Sequence, residues 1–136
     1  MISTKGRYAL RVMIDLAEQN KESYTPLKGI AERQQISKKY LEIIVKELVT
    51  AKLLEGVSGK NGGYKLSKPA DEYTVGEILE ATEGDLSVVA CLSCGAEECP
   101  RAENCETLPM WSEYNTMVHD FFYSKKLTDL IKKHGN

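Results

Sequence analysis

The feature that most constrains the fold is an order of elements: two short helical patterns a few residues apart, then a glycine-rich turn. Thr25-Pro26 reads as an N-cap followed by proline at the first helical position, where its missing N–H costs nothing. That helix runs to about Arg33 or Gln34. Gln35-Ile36 leaves room only for a tight connection, and Ser37 is the natural N-cap of the next helix. Ile36 and Leu41 have the spacing of a hydrophobic staple, and Leu41, Ile44, Val45, Leu48 and Val49 form its buried stripe to about Ala51. Leu53 to Val57 reads as a strand, Ser58-Gly59-Lys60-Asn61-Gly62-Gly63 as a turn tolerant of positive φ, and Tyr64-Lys65-Leu66 as the return strand. A hairpin directly after a helix-turn-helix is a winged helix; the plainer reading is a helical domain with an unrelated hairpin.

The remaining segments complete a mostly α chain. A first helix spans Thr4 to about Glu18, with Ala9, Leu10, Val12, Met13, Leu16 and Ala17 near helical period. Thr74 and Glu77 form a capping-box pattern opening a helix that stops at Gly84. Pro109 to about Tyr123 is a strongly apolar helix with Met110, Tyr114, Met117 and Phe121 on one face and Trp111, Val118 and Phe122 beside it. So wide a stripe near the end of a small chain serves either intrachain packing or a dimer, and a two-fold DNA reader needs a dimer. The expected organisation is a winged-helix DNA-binding domain over 1–84, a cysteine-rich loop over 85–108, and a dimerisation helix and tail over 109–136, with Trp111, Tyr114, Met117, Val118, Phe121 and Phe122 at the dimer contact.

Charge divides along the same line. Residues 1–66 carry 12 Lys/Arg against 7 Asp/Glu, net +5, and residues 67–136 carry 6 against 13, net −7, which together give the overall −2. A basic front half suits a polyanion and an acidic back half repels one, although chance asymmetry between solvated faces gives the same numbers. No run approaches the ~20 apolar residues of a membrane span. The N-terminus, interrupted by Arg11 and Asp15, is unlike a secretory signal. A cytoplasmic location is expected.

In helix-turn-helix proteins the start of the second helix faces the major groove, which here brings Ser37, Lys38, Lys39, Tyr40 and Glu42 forward. The lysines suit phosphate or guanine acceptors, Ser37 and Tyr40 phosphate or base edges, and Glu42 the cytosine amino group. Lys60 and Asn61 lie at the hairpin tip, and Lys5 and Arg7 open the first helix as phosphate holders. Taken singly, each reads better as a solvated charge than as a contact; as a set on one expected edge they favour a double-stranded DNA operator.

All four cysteines fall within fifteen residues, at Cys91, Cys94, Cys99 and Cys105, spaced C-x2-C-x4-C-x5-C. In a reducing compartment such a cluster points to metal or redox chemistry rather than structural disulfides. Structural zinc ribbons pair two C-x2-C knuckles, and this chain has one, whereas iron–sulfur proteins draw several thiolates from one loop. Iron–sulfur cluster, zinc and reversible thiol oxidation remain open on spacing. The chain has only His119 and His134, and no Ser/His/Asp set, phosphate-binding loop or HExxH motif, so no enzyme is expected.

These segments in this order resemble the Rrf-two family of bacterial winged-helix regulators, in its iron–sulfur form, over nearly the whole chain. The resemblance is carried by Ser3-Thr4-Lys5-Gly6-Arg7-Tyr8-Ala9, Ile30-Ala31-Glu32-Arg33, Ile36-Ser37, Tyr40-Leu41-Glu42, Gly62-Gly63-Tyr64, Val75-Gly76-Glu77-Ile78, and Cys99-x5-Cys105 followed by Thr107 and Trp111. It implies a homodimer joined through the C-terminal helix and a 2Fe–2S or 4Fe–4S cluster on Cys91, Cys99 and Cys105. It implies sensing of iron–sulfur status, oxygen or nitric oxide, with cluster state altering base choice through Glu42. This chain departs from the family in four places. Leu108 stands where one branch has a histidine ligand, and Tyr8 where others have an acidic ligand from the first helix. Cys94 is an extra thiol: a fourth ligand, a substitute for Cys91, or a bystander. Ser58 stands where relatives carry a wing arginine, which shifts minor-groove contact toward Lys60.

Overall fold

A computed structural model describes residues 2–19, 22–87 and 104–131. Helix α1 (Thr4–Ala17) is capped by Ser3, whose side chain accepts from the Gly6 N–H. Its buried residues Ala9, Val12, Met13 and Leu16 repeat at helical spacing and face the core. Helix α2 (Leu27–Gln34) starts one residue later than its Thr25-Pro26 signal implied. Pro26, extended at φ −62° and ψ 143°, takes the cap position without a side-chain bond. Thr25 is instead drawn into a two-bond bridge with Tyr64, Thr25 N to Tyr64 O at 2.8 Å and the return bond at 2.9 Å. A long-range strand pairing has overridden a local capping preference.

The turn to helix α3 (Lys38–Thr50) is as tight as the sequence requires. Gln35 ends α2 in the left-handed region at φ 54°, and Ser37 caps α3 by accepting from Tyr40 N at 3.2 Å. Ile36 and Leu41 are both buried, as a staple requires. Strands β1 (Leu54–Val57) and β2 (Gly63–Leu66) pair antiparallel, Leu54 opposite Leu66 and Val57 opposite Gly63, with Gly59 and Gly63 at positive φ.

Helix α4 (Val75–Glu83) is capped by Thr74, which accepts from Glu77 N at 3.1 Å. The Glu77 carboxylate pairs with Lys68 at 2.9 Å, so only the first half of the capping box forms. Helix α5 (Leu108–Ser124) buries no residue completely. The chain beyond it turns back: Thr74 and Lys126 form a bridge, Leu127 N bonds Tyr73 O at 3.0 Å, and Leu127 is fully buried in the shared core. Among the described residues the architecture is five α-helices and a two-stranded wing around one core drawn from α1–α4, the start of β1, Ala70, Tyr73 and Leu127.

Candidate nucleic-acid interface

Burial of Leu41, Ile44, Val45 and Leu48 fixes which face of α3 points outward. That outer face carries Ser37, Lys38, Lys39, Glu42, Ile43 and Lys46, all exposed, so cationic donors and one carboxylate are offered together at the start of the helix. Tyr40 is different: it is half-buried and meets Tyr8 of α1 edge to face, ring centroids 5.9 Å apart. Arg11 also lies over the Tyr8 ring, 4.9 Å from its centroid, and donates to the Gln34 carbonyl at the end of α2. The position of the recognition helix therefore depends on α1 as well as on the turn.

Ser58, Lys60 and Asn61 are exposed at the wing, as expected. A groove of about 500 Å³ separates wing and recognition helix, lined by Glu42, Lys46, Val49, Thr50, Gly56, Val57, Ser58 and Tyr64. Lys46 was missed by motif reading, although it stands one turn after Glu42 on the same face, a spacing that would have found it. Of the two phosphate candidates in α1, Arg7 is exposed and its Nη2 donates to Thr4 Oγ1 at 3.1 Å. Lys5 is engaged with Glu47 of α3 at 2.9 Å, each side chain about a third exposed, so any phosphate it meets must share that ammonium.

Of the thiols only Cys105 lies within the described residues; Cys91, Cys94 and Cys99 lie outside them. Cys105 is half-exposed three residues before α5, with Sγ 3.5 Å from Thr107 Oγ1. Among the described residues no three His, Cys, Asp or Glu side chains gather closely enough to hold a metal ion. Tyr8 is packed against Tyr40 and Arg11.

Along α5, Met110, Tyr114, Met117 and Phe121 are all about half or more exposed, at 52, 49, 62 and 56%, while Trp111, Val118 and Phe122 are half-buried. An apolar groove of about 550 Å³ runs beside this face, bounded by Ile2, Leu86, Tyr114, Met117, Val118, Phe121 and Phe122. No described helix is long and apolar enough to cross a membrane.

A helix-turn-helix with a hairpin wing and a lysine-bearing recognition helix is the architecture of a winged-helix transcriptional regulator. Residues 2–133 match the Rrf2 family, described as an iron-dependent transcriptional regulator, and the chain belongs to that family. It is 35% identical over 130 residues to the HTH-type transcriptional regulator IscR of Pectobacterium atrosepticum, covering 96% of this chain and 78% of that one. Two solved structures are similar: CymR, the global cysteine regulator of B. subtilis, at TM-score 0.74 and 36% identity, covering 96% of this chain and 95% of the other; and T. potens IscR, at TM-score 0.73 and 30% identity, covering 96% and 85%.

Proposed function

We propose that this regulator acts as a homodimer on a two-fold operator and senses iron–sulfur status, oxygen or nitric oxide through an iron–sulfur cluster held by the cysteine-rich segment. The observation that carries this reading is the confinement of all four thiols to residues 91–105 in a family described as iron-dependent. The donor chemistry fits: thiolates are soft ligands suited to iron–sulfur units. Cys91, Cys99 and Cys105 are the proposed ligands. Cys94 is the proposed fourth, because Leu108 has no donor atom and Tyr8 is committed to the recognition helix. The cluster supplies a centre whose gain or loss changes the charge and shape of residues 85–108, the stretch between α4 and α5. Residues 1–84 then form the DNA-binding unit and 109–136 the dimer unit.

On the DNA side, Lys38, Lys39, Ser37 and Tyr40 bind phosphates or base edges, Glu42 accepts from a cytosine amino group, and Ser58, Lys60 and Asn61 carry the wing contact. Lys5 and Arg7 hold flanking phosphates. The exposed apolar face of α5, with Trp111, Tyr114, Met117, Val118, Phe121 and Phe122, supplies the two-fold contact, as large exposed apolar faces commonly do.

The test is iron, acid-labile sulfide and visible absorption of protein purified without oxygen, repeated for each single Cys→Ser variant. Matched iron and sulfide with visible charge-transfer bands, abolished by Cys91→Ser, Cys99→Ser or Cys105→Ser, is the expected result, and Cys94→Ser reports on the fourth position. Zinc without sulfide, or colourless protein that iron and sulfide do not reconstitute, overturns the cluster and leaves zinc or thiol oxidation in its place.

A further inference from the structure

Glu83 is the last residue of α4 and stands beside the start of α1. Its Oε1 accepts from Ser3 N at 3.0 Å, from Gly6 N at 3.0 Å and from the Ser3 hydroxyl. A carboxylate at a helix N-terminus satisfies N–H groups that have no partner within the helix and complements the helix dipole. The fit is close, since a Cβ at Gly6 would overlap the Glu83 carboxylate. From the start of α1 the polar contact continues into the recognition helix, because Lys5, in the first turn, pairs with Glu47 of α3 at 2.9 Å. In the other direction Glu83 is followed by Gly84, at φ 90°, where the chain leaves α4 toward the cysteine-rich segment, and Glu83 also borders the apolar groove along α5.

We infer that Glu83 is a positioning residue for DNA recognition: its carboxylate fixes the start of α1 and, through Lys5 and Glu47, the setting of the recognition helix. Because only Gly84 separates it from the segment to which the thiols belong, it is also the point through which a change there reaches the DNA face; this second half rests on the cluster reading above.

The experiment is a double-mutant cycle on the full chain without its cluster: wild type, Glu83→Ala, Glu47→Gln and the double variant. Each is titrated with a duplex selected from a random pool by the wild-type protein and with an unrelated duplex. Glu83→Ala is expected to weaken binding to the selected duplex by about fivefold or more, with the unrelated duplex little affected, and the two substitutions to be non-additive. Glu83→Gln keeps the volume and one acceptor oxygen and should restore most of the loss, which keeps the test usable if Glu83→Ala folds poorly. Additive effects, or equal losses on both duplexes, overturn the inference. The ratio of cluster-loaded to cluster-free affinity is then compared. It should shrink toward one in Glu83→Ala at wild-type iron and sulfide content, and a ratio as large as that of the wild type overturns the relay. A ratio of one in the wild type itself, with a non-additive cycle, brings down the sensing reading while Glu83 keeps its positioning role.

Discussion

Arg33 of α2 holds Asp15 of α1 in a two-pronged ion pair, Nε to Oδ2 at 2.9 Å and Nη2 to Oδ1 at 2.8 Å. Asp15 is buried, and Gln34 donates a third bond to Oδ2 at 3.0 Å. The carboxylate raises the Arg33 pKa above its ordinary value, chiefly through that hydrogen bond. The first helix of the helix-turn-helix is thus tied to α1 by charge as well as by packing. Arg33→Ala leaves a buried carboxylate with one remaining bond and should lower stability by about 2–3 kcal/mol, below the range for a fully buried pair because Arg33 is partly solvated. Asp15→Leu with Arg33→Met removes both charges and should recover most of that loss. Denaturant unfolding of the three proteins checks the order; a single variant as stable as wild type would show that the pair contributes nothing.

Gln35 is a non-glycine residue in the left-handed region, at the end of α2. Glycine carries no Cβ to strain there, so Gln35→Gly should raise stability by about 0.5–1 kcal/mol, the relieved strain exceeding the added freedom of the unfolded chain. A thermal midpoint below that of wild type contradicts this.

The joint between α4 and α5 rests on Tyr123, whose hydroxyl donates to Glu80 Oε2 at 2.5 Å while its ring covers Gly76 so closely that a Cβ there would overlap it. Burial first, then the Glu80 hydrogen bond and the charges of Glu80 and Glu77, raise the Tyr123 pKa well above the ordinary tyrosine value. A pKa raised on folding contributes stability fully present below the unfolded value, about 10, and lost as pH rises through the higher folded value. Tyr123→Phe should therefore lower stability by about 1 kcal/mol at neutral pH, with the difference from wild type shrinking above about pH 10. A difference independent of pH rules out this origin.

The proposed dimer contact makes a separable prediction. Phe121 and Met117 are exposed in the single chain, so Phe121→Glu should leave its secondary structure unchanged but raise the dimer dissociation constant by about 30-fold or more. Sedimentation equilibrium reads this directly, and a variant still dimeric at wild-type concentrations excludes α5 as the main contact.

At the DNA face, Lys38→Ala and Lys39→Ala should each weaken binding across all sequences and reduce the slope of log affinity against log salt by about one. Glu42→Ala should relax discrimination at one base pair, and unchanged relative affinities over a panel of single-base variants would contradict that role.

The parts of this fold that the sequence made legible were those specified locally. Ser37 and Thr74 cap the helices they were expected to cap, and the staple of Ile36 and Leu41 is buried, because each signal involves residues within one turn. What escaped needed partners far along the chain. Asp15 stood out in the sequence only as a charge breaking an apolar N-terminus, and its partner Arg33 lies 18 residues on. Thr25 was drawn from its expected cap by Tyr64, Glu83 finds its donors about 80 residues away at Ser3 and Gly6, and Leu127 returns to the core from beyond α5. Ser37, Lys38, Lys39 and Glu42 were expected on the open face of α3 and are exposed there, and Lys46, one turn after Glu42, shares that face.

Cluster-controlled DNA binding is tested most directly by a quantitative titration of cluster-loaded protein, without oxygen, against a duplex it has itself selected, before and after the cluster is removed with chelator. Salt-dependent binding to a two-fold sequence, with an affinity that changes by about tenfold or more on cluster removal and no such change in Cys105→Ser, is the expected result. Equal affinity before and after removal, in protein shown to have held matched iron and sulfide, would contradict it.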